Sequence, residues 1–319
     1  MTDVHGEEFA REVVDAMREI GAIHPGHRGV HAKGTLCGAE FTPTPDAAML
    51  SGAAHFAGPP VRAHVRFSNG AGDPEAPDYE PREGRGMAVK FYPPDNPTTD
   101  IVAITLPVFF VRDPDAFLEF VRARVPDPAT GEVDMAKVGA FLGAHPEALA
   151  AATHVMTAEP PESYLTMAYN SLHAFGFTDG AGTLRFGRYR FDPEGGERTI
   201  PADEAASRGA HYLREDLAAR LAEGPARFTL SVQLAGEDDP IDDPTVAWPD
   251  SRERVEMGAL EITGLAFDRE QDDDVLVFDP TRVIEGIELS DDAILHFRSH
   301  AYAESVKRRS GVSRPTAPY

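Results

Sequence analysis

Residues 61–68, Val-Arg-Ala-His-Val-Arg-Phe-Ser, alternate between apolar and polar without a break. Successive side chains on a strand point to opposite faces. Val61, Ala63, Val65 and Phe67 therefore line one side, and Arg62, His64, Arg66 and Ser68 the other. A chain with such a segment builds a sheet that is apolar on one face and carries chemistry on the other. Arg85–Tyr92 reads as a second strand, and Asp100–Phe110, apolar on both faces, as one in the middle of the protein. Phe228, Leu230, Val232 and Leu234 alternate with Thr229, Ser231 and Gln233, and a further strand runs through Val255–Ile262.

Helices interleave with these strands. Phe9, Val13, Met17 and Ile20 mark an amphipathic opening helix. Asp113-Pro114 starts another, with an N-cap and a proline at the first position. Residues 134–155 are alanine-rich and helical, broken near His145-Pro146, and a long polar helix is expected over 201–223. Acidic loops at 236–243 and 269–274 separate the later pieces. The mixed order supports an α+β fold, with residues 1–319 as one domain.

The formal net charge of −23 argues against nucleic acid and anionic membrane surfaces as partners. One cysteine, Cys37, excludes an internal disulfide and a cysteine-based zinc site. The acidic N-terminal stretch has no apolar signal core and no run reaches membrane-spanning length, so a cytoplasmic location without membrane insertion is expected.

The stretch 290–309 reads as one helix, with Ser290 as its N-cap, Asp291 and Asp292 in the first turn, Lys307, Arg308 and Arg309 at its negative end, and Gly311 as a stop. Leu295, Arg298 and Tyr302 fall on one face at helical spacing, with Asp292 a turn above Leu295. A guanidinium four residues before a phenol either forms an ordinary surface pair or holds a tyrosinate that ligates a metal. A free tyrosine ionises near pH 10, so such a ligand has to be forced into its anion, and both ferric iron and a close arginine do this.

Gly286-Ile-Glu-Leu-Ser-Asp-Asp-Ala-Ile-Leu-His-Phe-Arg298, followed at 302 by tyrosine, resembles the proximal haem-ligand signature of the catalase family. The resemblance recurs in the family's order over residues 24–309. Arg28-Gly-Val-His31-Ala-Lys-Gly34 is similar to the distal motif, and Arg66-Phe-Ser68 to the strand that supports it. Arg82-Glu-Gly-Arg-Gly-Met-Ala-Val-Lys-Phe-Tyr92, Pro107-Val-Phe-Phe110, Tyr164 to His173, and Asp243 to Pro249 match further blocks.

The resemblance implies a catalase-like antiparallel β-barrel with flanking helices, and haem b buried between barrel and C-terminal helix. It implies Tyr302 as proximal ligand of the haem iron and His31 as the distal acid–base, which takes a proton from peroxide and returns it to the departing oxygen. Ser68 would orient that imidazole. Arg28, Val30, Arg66 and Phe117 would contact the haem, the arginines meeting its propionates. His173 and Asp292 would complete a relay that holds Arg298 against Tyr302.

One departure bears on activity. The family's distal asparagine is replaced, since Asp100-Ile-Val-Ala-Ile104-Thr105-Leu-Pro107 puts isoleucine there and leaves Thr105 as the nearest polar group. Thr105 is therefore carried with His31 and Ser68 among the catalytic candidates. The chain looks most like the small catalase-related haem peroxidases. That likeness implies reduction of hydrogen peroxide or organic hydroperoxides by a small organic reductant, with weak dismutation, and is compatible with a homodimer. A haem enzyme that rearranges lipid hydroperoxides, as allene oxide synthases of this fold do, and a haem carrier or sensor without turnover are the alternatives. His31 argues against the carrier, which has no use for a distal base.

Overall fold

The computed structural model describes residues 5–21, 24–79, 84–267 and 275–310. Its strands in chain order are β1 (Gly34–Pro43), β2 (Val61–Asn69), β3 (Arg85–Phe91), β4 (Thr99–Ile104), β5 (Tyr169–Asn170), β6 (Phe175–Thr178), β7 (Leu184–Pro193), β8 (Ala226–Leu234), β9 (Arg254–Leu265) and β10 (Ile287–Leu289). Its helices are α1 (Glu7–Ile20), α2 (Pro45–Leu50), α3 (Pro114–Ala123), α4 (Met135–Ala144), α5 (Leu149–Thr157), α6 (Ala202–Ser207), α7 (Tyr212–Glu223) and α8 (Ala293–Arg309).

Each paired strand runs antiparallel to its neighbours. β1, β2, β3, β4, β5, β7, β8 and β9 follow one another around a closed barrel, because β9 returns to pair with β1. β6 and β10 extend outward from β7. Closure leaves no unpaired barrel edge to recruit another chain. The interior is filled by the apolar alternate residues of the strands. Val61, Ala63, Val65 and Phe67 of β2 are all buried there, with Met87 and Val89 of β3 and Phe228, Leu230 and Val232 of β8. The polar side of β2 faces outward, where Arg66 and Ser68 are covered by other parts of the chain.

α2 and α7 pack against β9 of the barrel, while α1, α3 and α8 pack on one another. Val13 and Ala16 of α1 meet Leu118 and Val121 of α3 and Phe297 of α8. Arg308 near the end of α8 pairs with Asp15 of α1 at 2.7 Å, so opposite charges reinforce the apolar contact. Asp113 caps α3 through the Ala116 amide, and Pro114 takes its first position, as the sequence indicates. The helical region after residue 134 splits at His145-Pro146 into α4, a short 3-10 turn and α5.

Four expectations change. The strand expected over Asp100–Phe110 stops at Ile104, and Pro107 with the two phenylalanines leaves the sheet. Proline has no N–H to give a ladder, and the Phe109 amide instead bonds to the Pro244 carbonyl. The helix expected over 201–223 is two, because Gly209 adopts a φ of +102° between α6 and α7. The N-cap of α8 is Asp292, which accepts from the amides of Ile294 and Leu295, and not Ser290. The helix accordingly starts at Ala293, placing Asp291 and Asp292 ahead of its first turn. Gly311, Arg82 and the acidic stretch 269–274 lie outside the described residues. Among the described residues no helix is long and apolar enough to cross a membrane.

Candidate active site

The strand register builds one wall. Gly34 of β1 pairs with Ser68 of β2, Ser68 with Gly86 of β3, and Gly86 with Ile104 of β4. Direct partners across antiparallel strands share a face, so these four positions form a row on the outside of the barrel. Two of the four are glycine. A Cβ at Gly86 would lie 2.7 Å from Ser68 Oγ and 3.0 Å from His31 Nδ1, and one at Gly34 would lie 2.5 Å from Arg66 Cζ. The glycines thus make room for the imidazole and the guanidinium that lie against the sheet. Only the general rule that a glycine inside a strand marks a close approach could have signalled them.

His31 precedes β1 and is bent onto this row. Its φ of +54° is left-handed, a conformation that costs a side-chain-bearing residue about 1–3 kcal/mol and persists only when surroundings enforce it. Here they do. The His31 amide donates to the Gly70 carbonyl and the Ala32 amide to that of Ala71, each at 3.0 Å, while Arg66 Nη2 donates to the His31 carbonyl at 3.0 Å. His31 Nδ1 stands 3.1 Å from Ser68 Oγ. Burial of the ring, then the positive charges of Arg66, Arg28, Arg298 and Arg85, push its pKa down to about 3. The imidazole is therefore neutral. With Nδ1–H donating to the serine oxygen, Nε2 carries the free lone pair.

The other half of the site sits on α8 and the segment before β6. Asp292 Oδ1 caps the helix, and its Oδ2 lies 2.6 Å from His173 Nδ1. His173 Nε2 lies 2.9 Å from Arg298 Nη1. Two further nitrogens of Arg298, Nε at 3.2 Å and Nη2 at 2.5 Å, donate to the Tyr302 oxygen. A guanidinium can only donate, so His173 accepts at Nε2 and must carry its proton at Nδ1, facing the carboxylate. Burial lowers the pKa of His173 against the opposing effect of Asp292, in keeping with a neutral ring. One carboxylate thereby fixes the helix start, the histidine tautomer and the arginine that braces the phenol.

The structure thus brings together His31, Ser68, Arg66 and Ile104 on one side, and Asp292, His173, Arg298 and Tyr302 on the other. Arg298 contributes to the lowered pKa of His31, so both sides share one electrostatic environment. Arg28 and Val30 flank His31 and are half-buried, and Arg28 Nη2 donates to the Leu276 carbonyl at 3.1 Å. Phe117 is half-buried among aromatic rings, stacked nearly parallel to Phe109 at 6.1 Å, while Phe109 also lies 6.1 Å from the His173 ring.

Thr105 follows the last residue of β4 and is engaged with the backbone of Arg85. Its hydroxyl accepts the Arg85 amide at 3.0 Å and its own amide donates to the Arg85 carbonyl at 2.9 Å. It lies just past the end of β4, so its hydroxyl is spent on the Arg85 backbone beside the His31 row. The position facing the imidazole wall belongs to the apolar Ile104.

The donor set is of the kind that would hold an anionic, iron-bearing group. The glycine-bearing row is a wall on which added Cβ atoms would collide with the distal side chains. Arg28 and Arg66 both act on the His31 ring electrostatically, and the Tyr302 oxygen is braced by two N–H donors of a cation. The wall also yields a test. Gly86→Ala should displace His31 and slow reaction of the haem-loaded protein with peroxide on the order of a hundredfold, the scale of an ångström's misplacement. Stopped-flow rates beside thermal melts measure this, and an unchanged rate would mean that His31 does not use this wall.

Comparison with known proteins shows the family. A family model described as Catalase matches residues 14–318. The "Catalase-related peroxidase" of Mycolicibacterium paratuberculosis is 42% identical over 304 residues, covering 95% of each chain. That of Synechococcus elongatus is 33% identical over 299 residues, 94% of this chain and 88% of the relative. Among solved structures, a fungal catalase superposes with a TM-score of 0.81 at 25% identity, covering 91% of this chain and 60% of its own. Catalase A from Saccharomyces cerevisiae superposes with a TM-score of 0.82 at 24% identity, over 91% and 62% of the two chains, and so bears on the fold. By family match, by relatives over nearly its whole length and by its closed barrel, the chain belongs to the catalase family.

Proposed function

We propose that the chain is a haem b peroxidase that reduces hydrogen peroxide or organic hydroperoxides with electrons from a small organic donor, and that releases oxygen from peroxide only weakly. Catalases are haem-dependent oxidoreductases acting on peroxide, and the relatives of similar length carry the name catalase-related peroxidase. The observation that carries the finer reading is the row Gly34–Ser68–Gly86–Ile104, which puts an isoleucine on the wall against which the neutral His31 lies.

When bound, the haem iron supplies the redox change that divides the peroxide bond. Everything else falls to the chain. Nε2 of His31 takes the proton from one peroxide oxygen and returns it to the departing one, while Ser68 keeps Nδ1 engaged so that Nε2 stays the base. Tyr302 would hold the iron, its oxygen accepting two hydrogen bonds from Arg298, which His173 and Asp292 hold in place. Arg28 and Arg66 would meet the propionates, and Val30 and Phe117 would pack against the ring. No nucleic acid or membrane partner is called for.

Release of oxygen requires a second peroxide to be gripped while it gives up two electrons. An amide at position 104 would donate a hydrogen bond to it, and isoleucine donates none. A hydrogen bond aimed at the charge that develops as that peroxide is oxidised is worth ~1.5–3 kcal/mol, or about ten- to a hundredfold in rate. Oxidation of an aromatic donor needs no such grip. Oxygen evolution and phenol oxidation measured side by side test the assignment. The wild type should oxidise donors readily, and Ile104→Asn should raise oxygen release relative to donor oxidation by about tenfold or more. Vigorous oxygen evolution by the wild type, with no donor oxidised, would overturn it.

A further inference from the structure

Behind the distal wall lies a second polar cluster that the proton transfer itself does not use, centred on Asp78. Its side chain is fully buried. Asp78 Oδ1 pairs with Lys33 Nζ at 2.7 Å and accepts from Asn69 Nδ2 at 2.8 Å, while Oδ2 accepts the Leu213 amide in the first turn of α7 at 2.8 Å. The Asp78 carbonyl accepts from Arg85 Nη2 at 2.8 Å. Tyr164 donates to Asn69 Oδ1 at 2.6 Å, which fixes the way that amide faces. Lys33 also donates to the carbonyls of Ala76 and Ala210, each at 2.9 Å.

The partners of Asp78 are ordered by where they sit in the chain. Lys33 is two residues past His31, Asn69 is one past Ser68, and Arg85 is one before Gly86. The Asn69 amide donates to the Lys33 carbonyl at 3.0 Å, tying two of these flanks directly. A single aspartate therefore gathers the ends of the three segments that carry the distal imidazole, the hydroxyl that orients it and the glycine that admits it. The left-handed His31 has to be held by its flanks, and the carboxylate, anchored on a helix N-terminus, is the common post.

We propose that Asp78 is the positioning residue of the distal site, setting the placement of the His31 imidazole through Lys33 and Asn69. It touches no substrate. This inference rests on the peroxidase reading, since it assigns meaning to the position of His31.

The test is a double-mutant cycle on the haem-loaded protein with Asp78→Asn and His31→Ala. Asp78→Asn keeps the side-chain volume and removes the charge. It should slow the reaction with peroxide about tenfold or more and weaken equilibrium cyanide binding by a similar factor, with haem content and the Tyr302 side of the spectrum unchanged. In the His31→Ala background the same substitution should change either quantity less than about twofold. Equal losses in both backgrounds, or none in either, would show that Asp78 does not act through His31. Should Asp78→Asn not fold, Tyr164→Phe removes only the bond that orients Asn69, and a loss that disappears without His31 is again expected. An unchanged rate and cyanide affinity in Tyr164→Phe would then overturn the proposal. A His31→Ala protein that reacts at the wild-type rate would instead bring down the distal reading itself, which separates the two failures.

Discussion

Tyr302→Phe is expected to yield a folded protein that retains little haem. The substitution removes one oxygen at the end of a buttressed chain, Asp292–His173–Arg298–Tyr302, whose links are 2.6, 2.9 and 2.5 Å long. That oxygen is the acceptor for two guanidinium nitrogens, so phenylalanine also leaves Arg298 with donors to satisfy, a penalty of about 1–3 kcal/mol if they stay buried. Loss of a residue that merely supports a ligand lowers metal affinity about ten- to a hundredfold, and loss of the ligand itself should exceed that. The ratio of haem absorbance to protein absorbance after purification measures the effect, with circular dichroism to show that the fold persists. A variant with the wild-type haem content and ferric spectrum would remove Tyr302 from its assigned place. Because Tyr302 lies on one face of α8 and buries little apolar surface in the barrel, its removal should leave the barrel intact.

His31→Ala should keep its haem and lose speed. A general acid–base supplies roughly a hundred- to ten-thousandfold, and the first step with peroxide should fall by at least about a hundredfold. The pH dependence has a definite sign. In its proposed role His31 is a base in its neutral form, and burial and four arginines push its pKa down to about 3. The wild-type rate should therefore be flat across the neutral range and decline only as pH falls towards that value. An unperturbed histidine, at about 6.5, would show the decline already in mildly acid solution. Stopped-flow rates across pH decide between the two. A rate that halves near pH 6.5 would mean that the ring is far more exposed to water than its place against Ser68 and Gly86 allows.

Much of the fold was legible locally. The alternation over 61–68 does set four apolar side chains inside the barrel and turn Arg66 and Ser68 outward. The four-residue spacing of Arg298 and Tyr302 does put guanidinium against phenol, because one helical turn makes them neighbours whatever surrounds the helix. Both patterns are properties of a single element. Where sequence reasoning slipped, the deciding partner lay elsewhere. Ser290 and Asp292 are equally good caps by residue type, and Asp292 is the cap while its other oxygen faces His173, 119 positions away. A largely apolar run at 100–110 looks like one strand until Phe109 bonds to Pro244 in a loop.

The distal wall shows the division most clearly. The chain by itself supplied a histidine motif, an Arg-Phe-Ser strand, and an isoleucine followed by a threonine. Nothing local says which of Ile104 and Thr105 faces His31. The pairing of β4 with β3 put Ile104 opposite Gly86, in the row against which His31 lies. The places of Gly34 and Gly86 had only a general rule to signal them and the partners of Asp78 had none, because room for a neighbour and a carboxylate's three partners are relations between segments. A strand or a helix announces itself through the spacing of its own side chains, whereas a contact between distant segments leaves no spacing to read. Tertiary structure alone decides it.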